Sequence, residues 1–205
     1  MVIYTAVFGM MWLMDKLLSA SILLFGSGSY IVGLKEMLTG KYSPSVFSRV
    51  VWLLLAVISF AGVVVSHSTS ASILLASVFL AGNTAICITS FWKGSREIGK
   101  LEYICLSILV ISGVVWLVFK APLVSLSISL FAHLVGAVPT YRRVWQKPTS
   151  ESAGFWSLFF IASVLSIAAS WGEPLKLIIF PIYFSLFDGS MTFLSLRKRG
   201  SSPGK

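Results

Sequence analysis

Charged side chains are scarce in this sequence, and acidic ones especially so. Asp, Glu, Lys and Arg make up 11% of the 205 residues, with 7 acidic residues against 16 basic ones, whereas 57% of the residues are apolar. A soluble domain averages about 25% charged residues and about 45–50% apolar ones. A single water-soluble core has no room for this apolar excess. The composition therefore predicts an all-α polytopic membrane protein, because helices satisfy their own backbone polar groups within lipid.

Sequence patterns of catalysis and metal binding are also missing. The chain has no Gly-rich phosphate loop, no HExxH motif and no convincing pairing of a nucleophile with a base. Its two cysteines, Cys87 and Cys105, lie in or beside apolar runs without metal-ligand spacing or a disulfide framework. We therefore predict no enzyme, no catalytic residue, no bound metal and no cofactor. The net charge of +9 does not indicate a nucleic-acid partner, since Lys and Arg form short clusters between apolar runs.

Apolar segments of membrane length are what the sequence has in abundance. About 20 apolar residues cross a bilayer as a helix. This length predicts seven transmembrane helices, at 17–37, 48–66, 72–92, 102–119, 122–141, 153–171 and 175–196. Residues 1–14 are apolar but too short to span, so residues 1–15 form either an interfacial lead-in or an extension of the first helix. The N-terminus lacks the Lys/Arg-rich start of a signal peptide, and we expect the first span to be retained.

The basic residues predict the orientation of these spans. Of the 16 Lys and Arg residues, only Lys16, Lys120 and Lys176 fall on one side of the layout. The positive-inside rule then places the N-terminus outside and the basic tail 197–205 in the cytoplasm. The outer loops are short and almost uncharged, which favours a bacterial inner membrane over a eukaryotic organelle.

The layout also predicts an internal repeat. A first three-helix repeat covers 16–92, a cytoplasmic loop and linker helix cover 93–121, and a second repeat covers 122–196. Each half opens with a helix interrupted by Gly or Pro, followed by a basic turn rich in Ser, Thr and Pro. Aligning the two turns puts Asn83 within one residue of Asp188. We therefore predict two parallel three-helix bundles joined by the linker helix, with a polar site between them.

One stretch carries a family resemblance. Residues 136–156, GAVPTYRRVWQKPTSESAGFW, resemble the PQ-loop motif, in which a Pro-Gln near a helix end precedes a basic segment and a Ser/Gly-rich turn; Thr140 stands in the Gln position. With seven spans in a 3+1+3 order, the chain is similar to the PQ-loop/SWEET superfamily of membrane transporters. The resemblance implies that Asn83 and Asp188 correspond to the substrate-contacting asparagines of the third and seventh helices. It further implies that Trp171 corresponds to a sixth-helix Trp that stacks on the substrate.

Four intramembrane residues are candidates on their own chemistry. Asp188 is costly in lipid, so it is a cavity carboxylate that binds a proton or ligand, an inward structural anchor, or a residue near enough to the cytoplasmic end to reach water and the Arg197–Arg199 cluster. Asn83 binds substrate or forms an interhelical hydrogen bond worth about 1 kcal/mol. His133 relays protons with Asp188 or donates a hydrogen bond across helices. Trp171 stacks on a ligand or belongs to an interfacial belt.

Three residues are candidate hinges. Gly33, Gly136 and Pro139 interrupt the opening helix of each half, and a Pro removes one helical hydrogen bond. They either allow one bundle to move or produce static bends, which membrane helices tolerate.

These patterns predict a transporter or facilitator that moves a small polar solute by alternating access. The solute is sugar, amino acid or vitamin-like, and transport is proton-linked if Asp188 titrates. The expected partners are this solute and the lipid bilayer, and the pattern is compatible with a homo-oligomer. One alternative is a nicotinamide-riboside-type vitamin transporter, similar in layout. The other is a non-transporting receptor or sorting protein similar to the KDEL-receptor type, which would need intramembrane arginines.

Overall fold

Seven α-helices form the described part of the chain, which contains no strand. The computed structural model describes residues 2–41, 44, 46–94, 96, 100–148 and 151–197. The helices are α1 (Val2–Leu38), α2 (Val46–Val65), α3 (Ser70–Lys93), α4 (Lys100–Phe119), α5 (Pro122–Gln146), α6 (Ala153–Ala169) and α7 (Ile179–Leu196). A 3-10 turn over Leu175–Leu177 precedes α7. The all-helical prediction is confirmed.

Four of the helices are long and apolar enough to cross a membrane. They contain the segments Trp12–Leu38, Ser70–Lys93, Pro122–Gln146 and Ile179–Leu196, and the apolar segments of α2, α4 and α6 are shorter. Large apolar side chains point outward all round the molecule; Leu24, Leu117 and Leu186 are each at least 70% exposed. Water-soluble proteins rarely expose apolar surface on this scale. The exterior is consistent with an integral membrane protein.

The apolar N-terminal segment is continuous with the first long helix. α1 runs from Val2 through Asp15 and Lys16 to Leu38 without a break, because no proline interrupts it and its glycines cost only about 1 kcal/mol each relative to Ala. Of the two alternatives for residues 1–15, the structure therefore has the helical extension. Contact with the membrane interface stays a prediction.

The last two helices are shorter than the sequence predicts. α6 ends at Ala169 instead of residue 171, since Gly172 adopts a positive φ of 90°. Pro174 and the 3-10 turn then delay α7 to Ile179. Asp188 is consequently the tenth of the 18 residues of α7, near the middle of the helix.

Six helices pack in a closed ring. α1 packs against α3 and α6, α2 against α3 and α5, and α7 against α6 and α5, which gives the order α1, α3, α2, α5, α7, α6. α4 lies outside the ring against α5 and α2. Ser112 of α4 approaches Ser125 and Ser129 of α5 to 2.8 and 2.7 Å between hydroxyl oxygens. Small hydroxyl residues of this kind allow close packing of membrane helices.

The two ends of the ring differ in charge. At the first, the basic end, Ser152 before α6 contacts Glu36 of α1, and Arg197 after α7 contacts Trp145 of α5. At the opposite end, Thr69 before α3 contacts Ser170 after α6. These contacts bring the C-terminal ends of α5 and α7 together and the C-terminal end of α1 to the start of α6. The orientation in a membrane stays a prediction.

Candidate functional site

A small cavity with a mostly aromatic wall and a few polar groups lies at the centre of the ring. Each ring helix contributes a polar or amphipathic side chain to its wall: Tyr30 (α1), Trp52 (α2), Asn83 (α3), His133 (α5), Trp156 (α6) and Asp188 (α7). The other lining residues are phenylalanines. The volume is about 10 Å³, which by the same measure is room for about one water molecule. A larger ligand would therefore require the ring to open.

The structure brings three of the sequence candidates together. Asn83, His133 and Asp188 all line this cavity, and each is at most 3% exposed. They lie near the middle of α3, α5 and α7. These three polar side chains thus lie at one depth within the molecule.

Asn83 links α3 to α1. Its Nδ2 donates to the hydroxyl of Tyr30 at 2.9 Å and to the carbonyl of Phe79 at 2.8 Å. Tyr30 can approach because residue 82 is glycine; a Cβ there would lie 2.1 Å from the ring. Asn83 therefore makes the interhelical hydrogen bond considered as its structural role, while its side chain also faces the cavity.

Asp188 is buried without full hydrogen bonding. Its side chain is 2% exposed, and Oδ2 has no hydrogen-bond partner among the described residues. It does not reach solvent. Arg197, the described member of the basic cluster, instead donates to the carbonyl of Trp145 at 2.5 Å and stacks on that indole. Leaving a buried polar atom without a partner costs about 1–3 kcal/mol. Asp188 Oδ2 is therefore a candidate hydrogen-bond acceptor for a ligand.

His133 is anchored on one side and free on the other. Nδ1 lies 2.7 Å from the hydroxyl of Tyr183, whereas Nε2 has no partner among the described residues. The ring packs between Trp52 and Phe187 at centroid distances of 4.7 and 4.6 Å. The hydrogen bond across helices is thus present, and no described hydrogen bond joins His133 to Asp188.

Two tryptophans of the cavity, Trp52 and Trp156, are not among the residues singled out from the sequence. Trp156 is 3% exposed, and its indole nitrogen has no described partner. Trp52 is 9% exposed and contacts His133. A signal existed for Trp156: it begins a buried stripe with Phe159, Ser163 and Ser166 at helical spacing.

Trp171 is not part of the cavity. It follows the end of α6 at the end opposite to the basic one and is 88% exposed. Ser170 and Gly172 end α6 at this point, so the Trp171 indole does not face inward. It therefore cannot stack on a ligand in the cavity. Its position fits the interfacial alternative.

The predicted hinge residues lie inside continuous helices. A Cβ on Gly33 would lie 2.9 Å from the Phe155 ring, and one on Gly136 would lie 3.0 Å from Cys105 Sγ. Both glycines are therefore points of close helix contact. Pro139 is within α5, and its side chain lies outside the described residues. A hinge role for the three stays a prediction.

Polar contacts close the ring above and below the cavity. At the basic end, a second space of about 10 Å³ is lined by Glu36, Arg49, Glu151 and Ser152. It shares Phe155 and Trp156 with the central cavity. Ser152 donates to Glu36 Oε1 at 3.1 Å. Arg49, the fourth residue of α2, is only 7% exposed and lies 4.8 Å from the Trp52 ring. At the opposite end, the hydroxyls of Thr69 and Ser170 are 2.6 Å apart.

Fold and site together are those of an all-helical protein, consistent with an integral membrane protein, whose buried cavity is lined by aromatic side chains and by Asn83, His133 and Asp188. Comparison with known proteins identifies no matching family model, curated protein or solved structure.

Proposed function

We propose that this chain is a seven-span membrane transporter or facilitator that moves a small solute by alternating access. The observation that carries the proposal is the central cavity, which lies at mid-length of six helices and contains the unpartnered Oδ2 of Asp188. Transporters of repeat architecture hold their substrates at this depth, between the repeats. Closure by separate sets of contacts at the two ends is what an occluded intermediate requires.

The helix order supports a 3+1+3 architecture of the PQ-loop/SWEET type. In the ring, the third helix of each half stands between the other two: α3 between α1 and α2, and α7 between α5 and α6. α4, the helix without a counterpart, packs outside. Two three-helix bundles rocking about the cavity would expose it to one side of the membrane at a time.

Asp188 and His133 are the proposed proton-binding groups. Both face the cavity, and each has one atom without a described partner, Oδ2 and Nε2. A carboxyl and an imidazole in a closed cavity can exchange protons with whichever side is open. Proton coupling would follow if Asp188 must be neutral for the empty carrier to return.

A sorting receptor is the second candidate, since Arg49 is buried next to the cavity. Arg49 lies at the basic end and does not line the cavity itself. A receptor for a peptide carboxylate would need that charge on the wall, so transport is favoured.

The test is solute uptake by the purified protein in liposomes, with and without a pH gradient. Asp188→Asn is expected to reduce uptake at least tenfold, and Asn83→Ala to reduce it by a smaller factor. Asp15→Asn is the matched control, because Asp15 lies in α1 outside the cavity. Unchanged uptake in both cavity variants would disprove the site, and absence of uptake across a broad solute panel would disprove transport.

A further inference from the structure

The cavity wall is mostly aromatic. Eight of its eleven lining residues are Phe, Tyr or Trp, and the described lining contains no Lys or Arg. The rings pack against one another at tilted angles; the Phe79 centroid lies 4.5 Å from that of Phe184 and 6.0 Å from that of Phe159. Such packing fixes the ring faces and edges. Aromatic faces attract cations through the ring quadrupole, and cages of them recognise quaternary ammonium groups.

The wall also contains a single carboxyl group. Asp188 is 2% exposed, lines the cavity and leaves Oδ2 without a described partner. An ionised carboxylate in a buried site needs a counter-charge to offset its desolvation. Because the described lining contains no Lys or Arg and His133 is charged only when protonated, a positively charged solute would provide this counter-charge, whereas a neutral solute would not.

Two further unpartnered atoms indicate which hydrogen-bonding groups the solute carries. Trp156 Nε1 can only donate, so it requires an acceptor oxygen. His133 Nε2 donates or accepts according to its tautomer. Few other polar side chains face the cavity, which leaves a sugar with most of its hydroxyl groups unsatisfied. The wall therefore suits a compact, largely apolar molecule with one charge and one or two hydrogen-bonding atoms.

Resting on the proposed transport function, we infer that the solute is a small organic cation, a protonated or quaternary amine that also carries a hydrogen-bond acceptor. The cationic nitrogen lies among the aromatic rings beside Asp188. The acceptor oxygen faces Trp156. The cavity widens from its closed volume as the ring opens to admit the molecule.

The experiment compares cations with neutral molecules of the same shape in proteoliposomes. The pairs are choline with 3,3-dimethyl-1-butanol, and 1-methylnicotinamide, a pyridinium cation, with nicotinamide; glucose represents the sugars. We expect saturable uptake of at least one cation, at least tenfold faster than its neutral partner. Asp188→Asn should abolish the preference, and Asp188→Glu should keep it. Phe184→Leu should reduce cation uptake about threefold or more, because it removes a ring face but keeps apolar bulk.

The possible results separate this inference from the function on which it rests. Uptake of nicotinamide or glucose without a cation preference overturns the cation assignment and leaves transport standing. Failure of every solute to enter, at any pH gradient, counts against transport itself. The melting temperature and monodispersity of each variant in detergent show whether a loss reflects misfolding, and Asp15→Asn again serves as the control.

Discussion

At the scale of single residues, Gly82 decides how the cavity is built. A Cβ at this position would lie 2.1–2.3 Å from three atoms of the Tyr30 ring, which is itself held edge-on by Phe155 and Phe159. Gly82→Ala must therefore displace Tyr30 and break its hydrogen bond with Asn83. We expect a loss of about 1–3 kcal/mol, the usual cost of overpacking, measured as a lower melting temperature. Gly113→Ala is the control, because nothing lies within 4 Å of its added Cβ; equal melting temperatures would contradict the prediction.

The residues of the site were predictable from sequence only in part. Asn83, His133 and Asp188 could be singled out because polar groups are rare inside apolar helices and the repeat places two of them at the same depth. Tyr30, Trp52 and Trp156 could not, since 14% of the chain is aromatic and composition does not distinguish an inward ring from an interfacial one. The exposed position of Trp171 depends on where α6 ends, which Gly172 sets.

At the scale of secondary-structure elements, the contact between α1 and the start of α6 acts as a closure of the basic end. Ser152 caps α6 by accepting from the Phe155 amide at 3.1 Å, and it donates to Glu36 at 3.1 Å. Glu36→Ala removes the closing bond but keeps the cap. In a Cys87→Ala, Cys105→Ala background, Ile86→Cys places a reporter thiol on the space beneath this contact. We expect Glu36→Ala to accelerate its modification by a membrane-impermeant thiol reagent several-fold.

A matched change at the opposite end tests this closure. Ser170→Ala removes the hydroxyl that contacts Thr69 but keeps the Thr69 cap of α3, and it should leave the labelling rate at residue 86 unchanged or lower it. If Ser170→Ala and Glu36→Ala accelerate labelling equally, the contact at Glu36 is not a gate, and the two variants merely loosen the ring.

Helix ends were the least predictable feature of the elements. Apolar runs predicted all seven helices but extended the sixth to residue 171 and began the seventh at 175, against Ala169 and Ile179 in the structure. Counting apolar residues does not distinguish an α-helix from the turn at Leu175–Leu177, in which two of the three residues are leucines. The shift is small in sequence, yet it moves Asp188 to the middle of α7 and Trp171 out of the bundle.

At the scale of the whole molecule, the directions of the helices bear on the number of spans. Four helices, α1, α3, α5 and α7, are long enough to cross a membrane. Contacts at the two ends indicate that they run in the same direction. The C-terminal ends of α5 and α7 meet through Trp145 and Arg197, and the start of α3 meets the segment before α7 through Ser72 and Leu177. The C-terminal end of α1 meets the start of α6, which is the end of the ring opposite to the start of α7. A chain that crosses four times in one direction must return between crossings. α2, α4 and α6 are the segments available for that return, although their apolar runs are at the lower limit of about 17 residues.

The predicted topology has seven spans with the basic end in the cytoplasm, and reporter fusions can test it. A reporter that is active only in the cytoplasm should work when fused after Lys41, Arg96 or Lys147, and one active only outside should work after His67, Lys120 or Gly172. The physical reason is the asymmetry of the loops, since Lys and Arg near span ends resist translocation. A cytoplasmic signal at both Arg96 and Lys120 would mean that α4 does not cross, which would leave α5 antiparallel to α3 and break the ring. Alternation at all six sites is the result that the packing requires.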